Sequence, residues 1–88
     1  MPRVSWFYGI GIYLYYADHP PPHFEAMYGE FLANVLIETG EVIDGSLPPN
    51  ARKLVRRWTL RHREALRANW ARARADLPLE PIPGLDDD

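Results

Sequence analysis

The chain has 88 residues, no cysteine and a formal net charge of −2. That length bounds one small domain, and a 47% hydrophobic share is enough to fill one core. The missing cysteines exclude disulfides, thiolate chemistry and cysteine-ligated zinc, and the slight acidity argues against indiscriminate nucleic-acid binding.

Charge is segregated along the chain. Nine of the 10 Lys and Arg residues fall between Arg52 and Arg74, where Glu64 is the lone acid. A cysteine-free, single-domain composition fits the cytoplasm. The apolar run from Val4 to Ala17 is too short to span a bilayer and lacks a signal-peptide cleavage pattern, so no membrane association is expected.

In that run Trp6, Tyr8, Ile10, Ile12, Leu14 and Tyr16 alternate with Phe7, Gly9, Gly11, Tyr13 and Tyr15. Period two predicts a strand that is apolar on both faces. Gly9 and Gly11 permit a bend that would split it. The set Phe7, Tyr13 and Tyr15 then forms either a packed or dimer face, including a homodimer, or a platform for stacking bases. Asp18-His19-Pro20-Pro21-Pro22 cannot continue a ladder, because proline lacks the amide hydrogen. Extended polyproline conformation, with room for one cis bond, is the expected state of this connector.

His23–Tyr28 reads as the next strand, followed by Tyr28-Gly29-Glu30-Phe31, a two-residue type II′ hairpin turn. This turn puts Tyr28 opposite Phe31, Ala26 opposite Ala33 and Phe24 opposite Val35, all on one face. His23, Glu25, Met27, Leu32, Asn34 and Leu36 share the other face, which is mixed and reads as partly solvated or as a binding face. After Glu38-Thr39-Gly40-Glu41, a three-residue loop with left-handed Gly40 would place Ile43 on the core face; a two-residue loop would place Val42 there. The first is preferred because it leaves Asp44 in solvent.

Pro48 and Pro49 open the helical part, with Ser46 or Asn50 as cap. The stripe Ala51, Leu54, Val55, Trp58, His62, Ala65, Leu66, Asn69 and Ala73 follows helical spacing. Arg52, Lys53, Arg56, Arg57, Arg63, Arg67 and Arg74 project from the other side. Trp70 lies off the stripe, which predicts a bend between Leu60 and Glu64 or stacking by arginine. The expected fold is therefore α+β: an antiparallel sheet of about four strands packed against one long or bent C-terminal helix. Residues 1–83 form the domain and 84–88 an acidic disordered tail, with Leu77, Leu79 and Ile82 packing onto the domain.

The order of these features, from Met1-Pro2 through Asp18-His19-x-Pro-Pro-His23-Phe24, Gly45-x-Leu47-Pro48, Trp58, His62-Arg63 and Asn69-Trp70, resembles the bacterial domain-of-unknown-function family 4160. The resemblance extends to about Pro83. It implies a small cytoplasmic protein with no assigned activity, encoded beside a family-2442 protein in a toxin–antitoxin-like layout, so that a family-2442 neighbour is the expected protein partner. Where the family usually has a third histidine, this chain has Glu25, which can also serve as a ligand or proton acceptor.

Several readings compete for the functional residues. His19, His23 and Glu25 form the candidate catalytic set, as a metal-free acid–base group for cutting RNA with an arginine on the phosphate. As metal ligands they fall short. His23 and Glu25 lie about 7 Å apart on a strand, but an extended proline run would hold His19 about 12 Å from His23. No metal or cofactor is expected. Otherwise the two histidines cap a rigid turn, and His62 reads as a core histidine. Arg52, Lys53, Arg56, Arg57, Arg63 and Arg67 form the candidate surface for an anion or acidic partner, nucleic acid included. The leading functional expectation is a partner-binding module in a two-gene toxin–antitoxin-like or regulatory pair. The alternatives are a small ribonuclease-like toxin and a non-catalytic nucleic-acid-binding domain.

Overall fold

The computed structural model describes residues 2–16 and 18–87; Met1, Ala17 and Asp88, at the ends of several of the segments above, lie outside it. An α+β architecture is present. Five strands, β1 (Arg3–Phe7), β2 (Ile10–Tyr13), β3 (His23–Tyr28), β4 (Phe31–Leu36) and β5 (Val42–Gly45), make one antiparallel sheet in sequential order. Two helices, α1 (Pro49–Arg61) and α2 (Arg63–Arg74), cover one face.

The strand count of about four is corrected to five, because the first aromatic run is a hairpin. Tyr8 and Gly9 have φ of 49° and 79°, and Phe7 pairs with Ile10. Positive φ at both central residues is the primed turn that matches strand twist. It also resets the alternation. Phe7 joins Ile10, Ile12 and Leu14 in the core, so Phe7, Tyr13 and Tyr15 do not share a face. A bulge between Arg3 and Ser5 turns both Val4 and Ser5 inward.

The β3–β4 hairpin has the expected register: Phe24 faces Val35, Ala26 faces Ala33 and Tyr28 faces Phe31. The first two pairs are buried and the third, at the turn, is exposed. In β5 the expectation of Ile43 on the core face is wrong. Val42 pairs with Val35 and packs on the core, whereas Ile43 is exposed. Two features cause this. Leu36 N–H donates to the Glu41 carbonyl and closes a four-residue loop, with Gly40 at φ 72°. A register shift then carries Asn34 on to Asp44 and skips Ile43.

The single-helix expectation gives way to two helices, broken inside the predicted Leu60–Glu64 window at His62. Beyond the break the buried stripe changes phase: Leu66, Asn69, Trp70 and Ala73 are buried and Ala65 is exposed. Trp70 thereby reaches the core, and the Arg74 guanidinium lies 6.0 Å from its ring. Neither Ser46 nor Asn50 caps α1. Its N-cap is Pro48, with no side-chain cap bond, and Pro49 is the first helical residue.

Trp58 joins the layers. Fully buried, it packs on Phe7 at 5.2 Å and edge-on to Phe24 at 5.7 Å, and its indole N–H donates to the Pro83 carbonyl at 2.8 Å. Asn69, also buried, exchanges two 2.8 Å bonds with the backbone of Glu80. Ile82 N–H donates to the Val4 carbonyl at the outer edge of β1. Burying Ile82 adds roughly 1.5–3 kcal/mol to the hold on this segment. Leu79 packs on the core and Leu77 stays exposed. In the acidic tail Leu85–Asp87 form a short 3-10 turn.

Two substitutions test this packing. Gly45 has φ 79°, and a Cβ there would lie 2.1 Å from the Leu32 carbonyl oxygen. Gly45→Ala should therefore cost at least about 2 kcal/mol in chemical denaturation; an unchanged midpoint would refute the β5 geometry. Ser5 Oγ is buried with no hydrogen-bond partner. Ser5→Ala should raise stability by about 1 kcal/mol, since it removes a desolvated hydroxyl; a loss of that size would show a partner for the oxygen.

Candidate functional site

The proline segment does not run extended: it folds back between β2 and β3, with Pro20–Pro21 cis. His19 and His23, expected about 12 Å apart in an extended chain, have ring centroids 5.9 Å apart. The fold-back is stitched by side chains. Asp18 Oδ1 accepts from the His19 backbone N–H at 3.0 Å, and Asp18 Oδ2 lies 3.0 Å from His23 Nε2. His23 Nδ1 lies 2.7 Å from the Pro21 carbonyl oxygen. A carbonyl only accepts, so Nδ1 carries a proton; a carboxylate only accepts, so both bonds coexist when the ring holds both protons beside ionised Asp18. The His23 ring also packs on Trp70 at 5.4 Å, and Arg74 donates to the Asp18 carbonyl at 2.9 Å. Helix α2 thus anchors the corner. His19 differs: its Nδ1 lies 3.2 Å from the Pro20 carbonyl oxygen, and the residue is exposed.

Beside the corner lies a cleft of about 380 Å³. Asp18, His19, His23, Glu25, Tyr15 and Asp44 line it, together with Pro21, Asn34 and Ile43. Tyr13, Glu25, Asn34 and Asp44 are successive cross-strand partners, which places the cleft on the sheet face away from the helices. The Tyr15 hydroxyl donates to Glu25 Oε1 at 2.5 Å. Burial, then this bond and the nearby negative charge, pushes the Tyr15 phenol up to about 12.

The structure therefore brings His19, His23 and Glu25 together. None of Arg52, Lys53, Arg56, Arg57, Arg63 and Arg67 lines this cleft. They do not form one surface of equal charge either. Arg67 binds Glu38 through two bonds of 2.6 and 2.8 Å and reaches Glu64 at 2.5 Å. The hydrogen bonding to Arg67 holds the Glu38 carboxyl below its usual range, against the opposing effect of desolvation. Arg56 lies 3.5 Å from Glu41. His62 packs tilted against Trp58, with ring centroids 5.6 Å apart. Among the described residues no group of three or more His, Asp or Glu side chains is placed to hold a metal ion. Sequence reasoning missed Tyr15 and Asp44 as cleft residues and Asn69 as the clamp on the tail; the Tyr13-to-Asp44 register, which a bulge disguises, would have brought Asp44 beside Glu25.

Comparison with protein families finds a match over residues 9–71 to the family described as Domain of unknown function (DUF4160). The chain belongs to the DUF4160 family. The match takes in the proline corner, β2 to β5, α1 and most of α2, but not β1 or the C-terminal strap, so it stops short of Pro83. No curated protein and no solved structure matches this DUF4160 chain. Among its described residues no helix is long and apolar enough to cross a membrane.

Two measurements follow from this geometry. Asp18→Ala removes both stitches of the corner and should cost about 1.5–3 kcal/mol, the range for bonds to charged groups; a loss under about 0.5 kcal/mol would show that the corner stands without them. Tyr15 gives a pH signature. Its folded pKa lies above the unfolded value of about 10, so its contribution is present below pH 10 and is lost as pH rises through about 12. In an absorbance titration one tyrosine should ionise late, near pH 12, and that step should vanish in Tyr15→Phe.

Proposed function

We propose that this DUF4160 protein is a small bacterial, cytoplasmic partner-binding module. It serves as one component of a two-gene toxin–antitoxin-like or regulatory pair and docks its partner on the uncovered face of its sheet. The observation that supports this is the composition of that face. Trp6, Gly11, Met27 and Leu32 are consecutive cross-strand partners and form an apolar row. Trp6 and Leu32 are 50% and 45% exposed. The Tyr13 ring lies over Gly11, where a Cβ would come within 2.9 Å of it. Ile43, bulged out of β5, extends the apolar surface, and the next row carries Glu25 and Asp44. Apolar area flanked by carboxylates fits a partner segment that presents apolar and basic side chains.

A second reading is favoured by the 5.9 Å between the two imidazoles and by their different hydrogen bonding. Neutral His19 would take the proton of an RNA 2′-hydroxyl as its oxygen attacks phosphorus. Doubly protonated His23 would give a proton to the departing 5′-oxygen. Against it, the cleft carries three carboxylates, Asp18, Glu25 and Asp44, which repel a phosphodiester. Loss of RNA cleavage in both His19→Ala and His23→Ala, with the fold intact, would favour this reading.

Co-expression with the family-2442 neighbour tests the first. The neighbour should co-purify with the wild type. Leu32→Lys and Asp44→Lys should each weaken capture by about tenfold or more, while retaining the fold. Capture that is indifferent to both substitutions, or no capture at all, would overturn docking on the sheet face.

A further inference from the structure

On the other side of the molecule, α1 contains Arg52, Lys53, Arg56, Arg57 and Arg61 and no acidic residue. Arg57 and Arg61, one helical turn apart, line a groove of about 270 Å³ with Leu54, Leu85 and Tyr8. Sequence reasoning omitted Arg61 and placed Tyr8 inside a strand. Tyr8 sits instead at the tip of the β1–β2 turn, 57% exposed, at φ 49°. A bulky aromatic residue is rare in this region of φ/ψ space, where Asn or Gly is the easier choice. Two further rings lie near this turn in the sheet. A Cβ on Gly9 would touch the Tyr28 ring at 3.4 Å, and Tyr28 pairs with Phe31. Tyr28 and Phe31 are 38% and 40% exposed, at the end of the sheet that the helices leave uncovered.

We propose that this end of the molecule binds single-stranded nucleic acid, with successive phosphates on Arg57 and Arg61 and bases stacked on Tyr8, Tyr28 and Phe31. The chemistry is that of a stacking platform beside a cationic groove: every base has a π-face, so the site is tolerant of sequence. Asp86 and Asp87 follow Leu85 at the rim, so charge alone holds a phosphate weakly there and the rings supply the selectivity. An acidic peptide would use the arginines but has no planar group for the rings. The site is separate from the sheet face proposed for the protein partner, and neither depends on the other.

Fluorescence anisotropy with a labelled oligouridylate, an oligothymidylate and polyglutamate tests it on the full chain. Both oligonucleotides should bind saturably, with log affinity falling against log salt at a slope of about −1.4 if two phosphates are contacted. Arg57→Ala should make the slope shallower by about 0.7. Tyr8→Ala should weaken binding about fivefold or more, and Tyr8→Trp should restore it. Tyr8→Asn separates binding from folding: it suits the turn better and should raise Tm while losing affinity. Oligonucleotide binding that is absent, or unchanged in Tyr8→Asn, would overturn the proposal. So would polyglutamate binding as tightly as the oligonucleotides.

Discussion

One side chain organises the proline corner. Asp18 fastens the segment to itself through the His19 amide and to β3 through His23 Nε2, and the Pro21 carbonyl takes the other ring nitrogen, Nδ1. A ring held at both nitrogens has a fixed orientation, and Trp70 packs against its plane. The cleft exists because this corner folds back over the sheet rather than projecting from it. Its polar lining comes from two sources that the corner brings into register, the proline segment itself and the cross-strand row from Tyr13 to Asp44.

A second set of contacts closes the opposite layer. Trp58 bridges both hairpins to α1, and its indole reaches the C-terminal segment, which Asn69 and Val4 secure in turn. Trp58 and Asn69 lie within the stretch that matches the family, whereas Pro83, Glu80, Ile82 and Val4 lie outside it. The strap also covers part of the outer edge of β1. With the helices on one face, the sheet keeps its apolar row and its carboxylates on the other. Asp18, Glu25 and Asp44 gather around the cleft, whereas Glu38 and Glu41 pair with arginines of the helices.

How much of this was legible follows from where local and non-local terms agree. The β3–β4 register could be read because the Gly29 turn and the apolar alternation impose the same pairing. The break near His62 could be read because Trp70 would otherwise stand among arginines. By contrast, Tyr8-Gly9 hides a hairpin, since tyrosine is an unexpected occupant of a left-handed turn position. The β5 phase was lost to a four-residue loop combined with a bulge, two offsets that no residue type announces. The fold-back of the prolines depends on Asp18 meeting His23. The neutralisation of Arg67 depends on Glu38, 29 residues away. Both are tertiary contacts, invisible to spacing along one element. The candidate trio His19, His23 and Glu25 was proposed from residue type, the strand face shared by His23 and Glu25, and the family resemblance; its neighbours Tyr15 and Asp44 needed the sheet.

The account of the cleft rests on the corner being one rigid, hydrogen-bonded unit. Long-range proton–nitrogen NMR of the His23 ring addresses that directly, because it reports which nitrogen carries hydrogen. The account predicts hydrogen on Nδ1, held on the Pro21 carbonyl. A ring with a bare Nδ1 would contradict it, because the bond to Pro21 would then not exist.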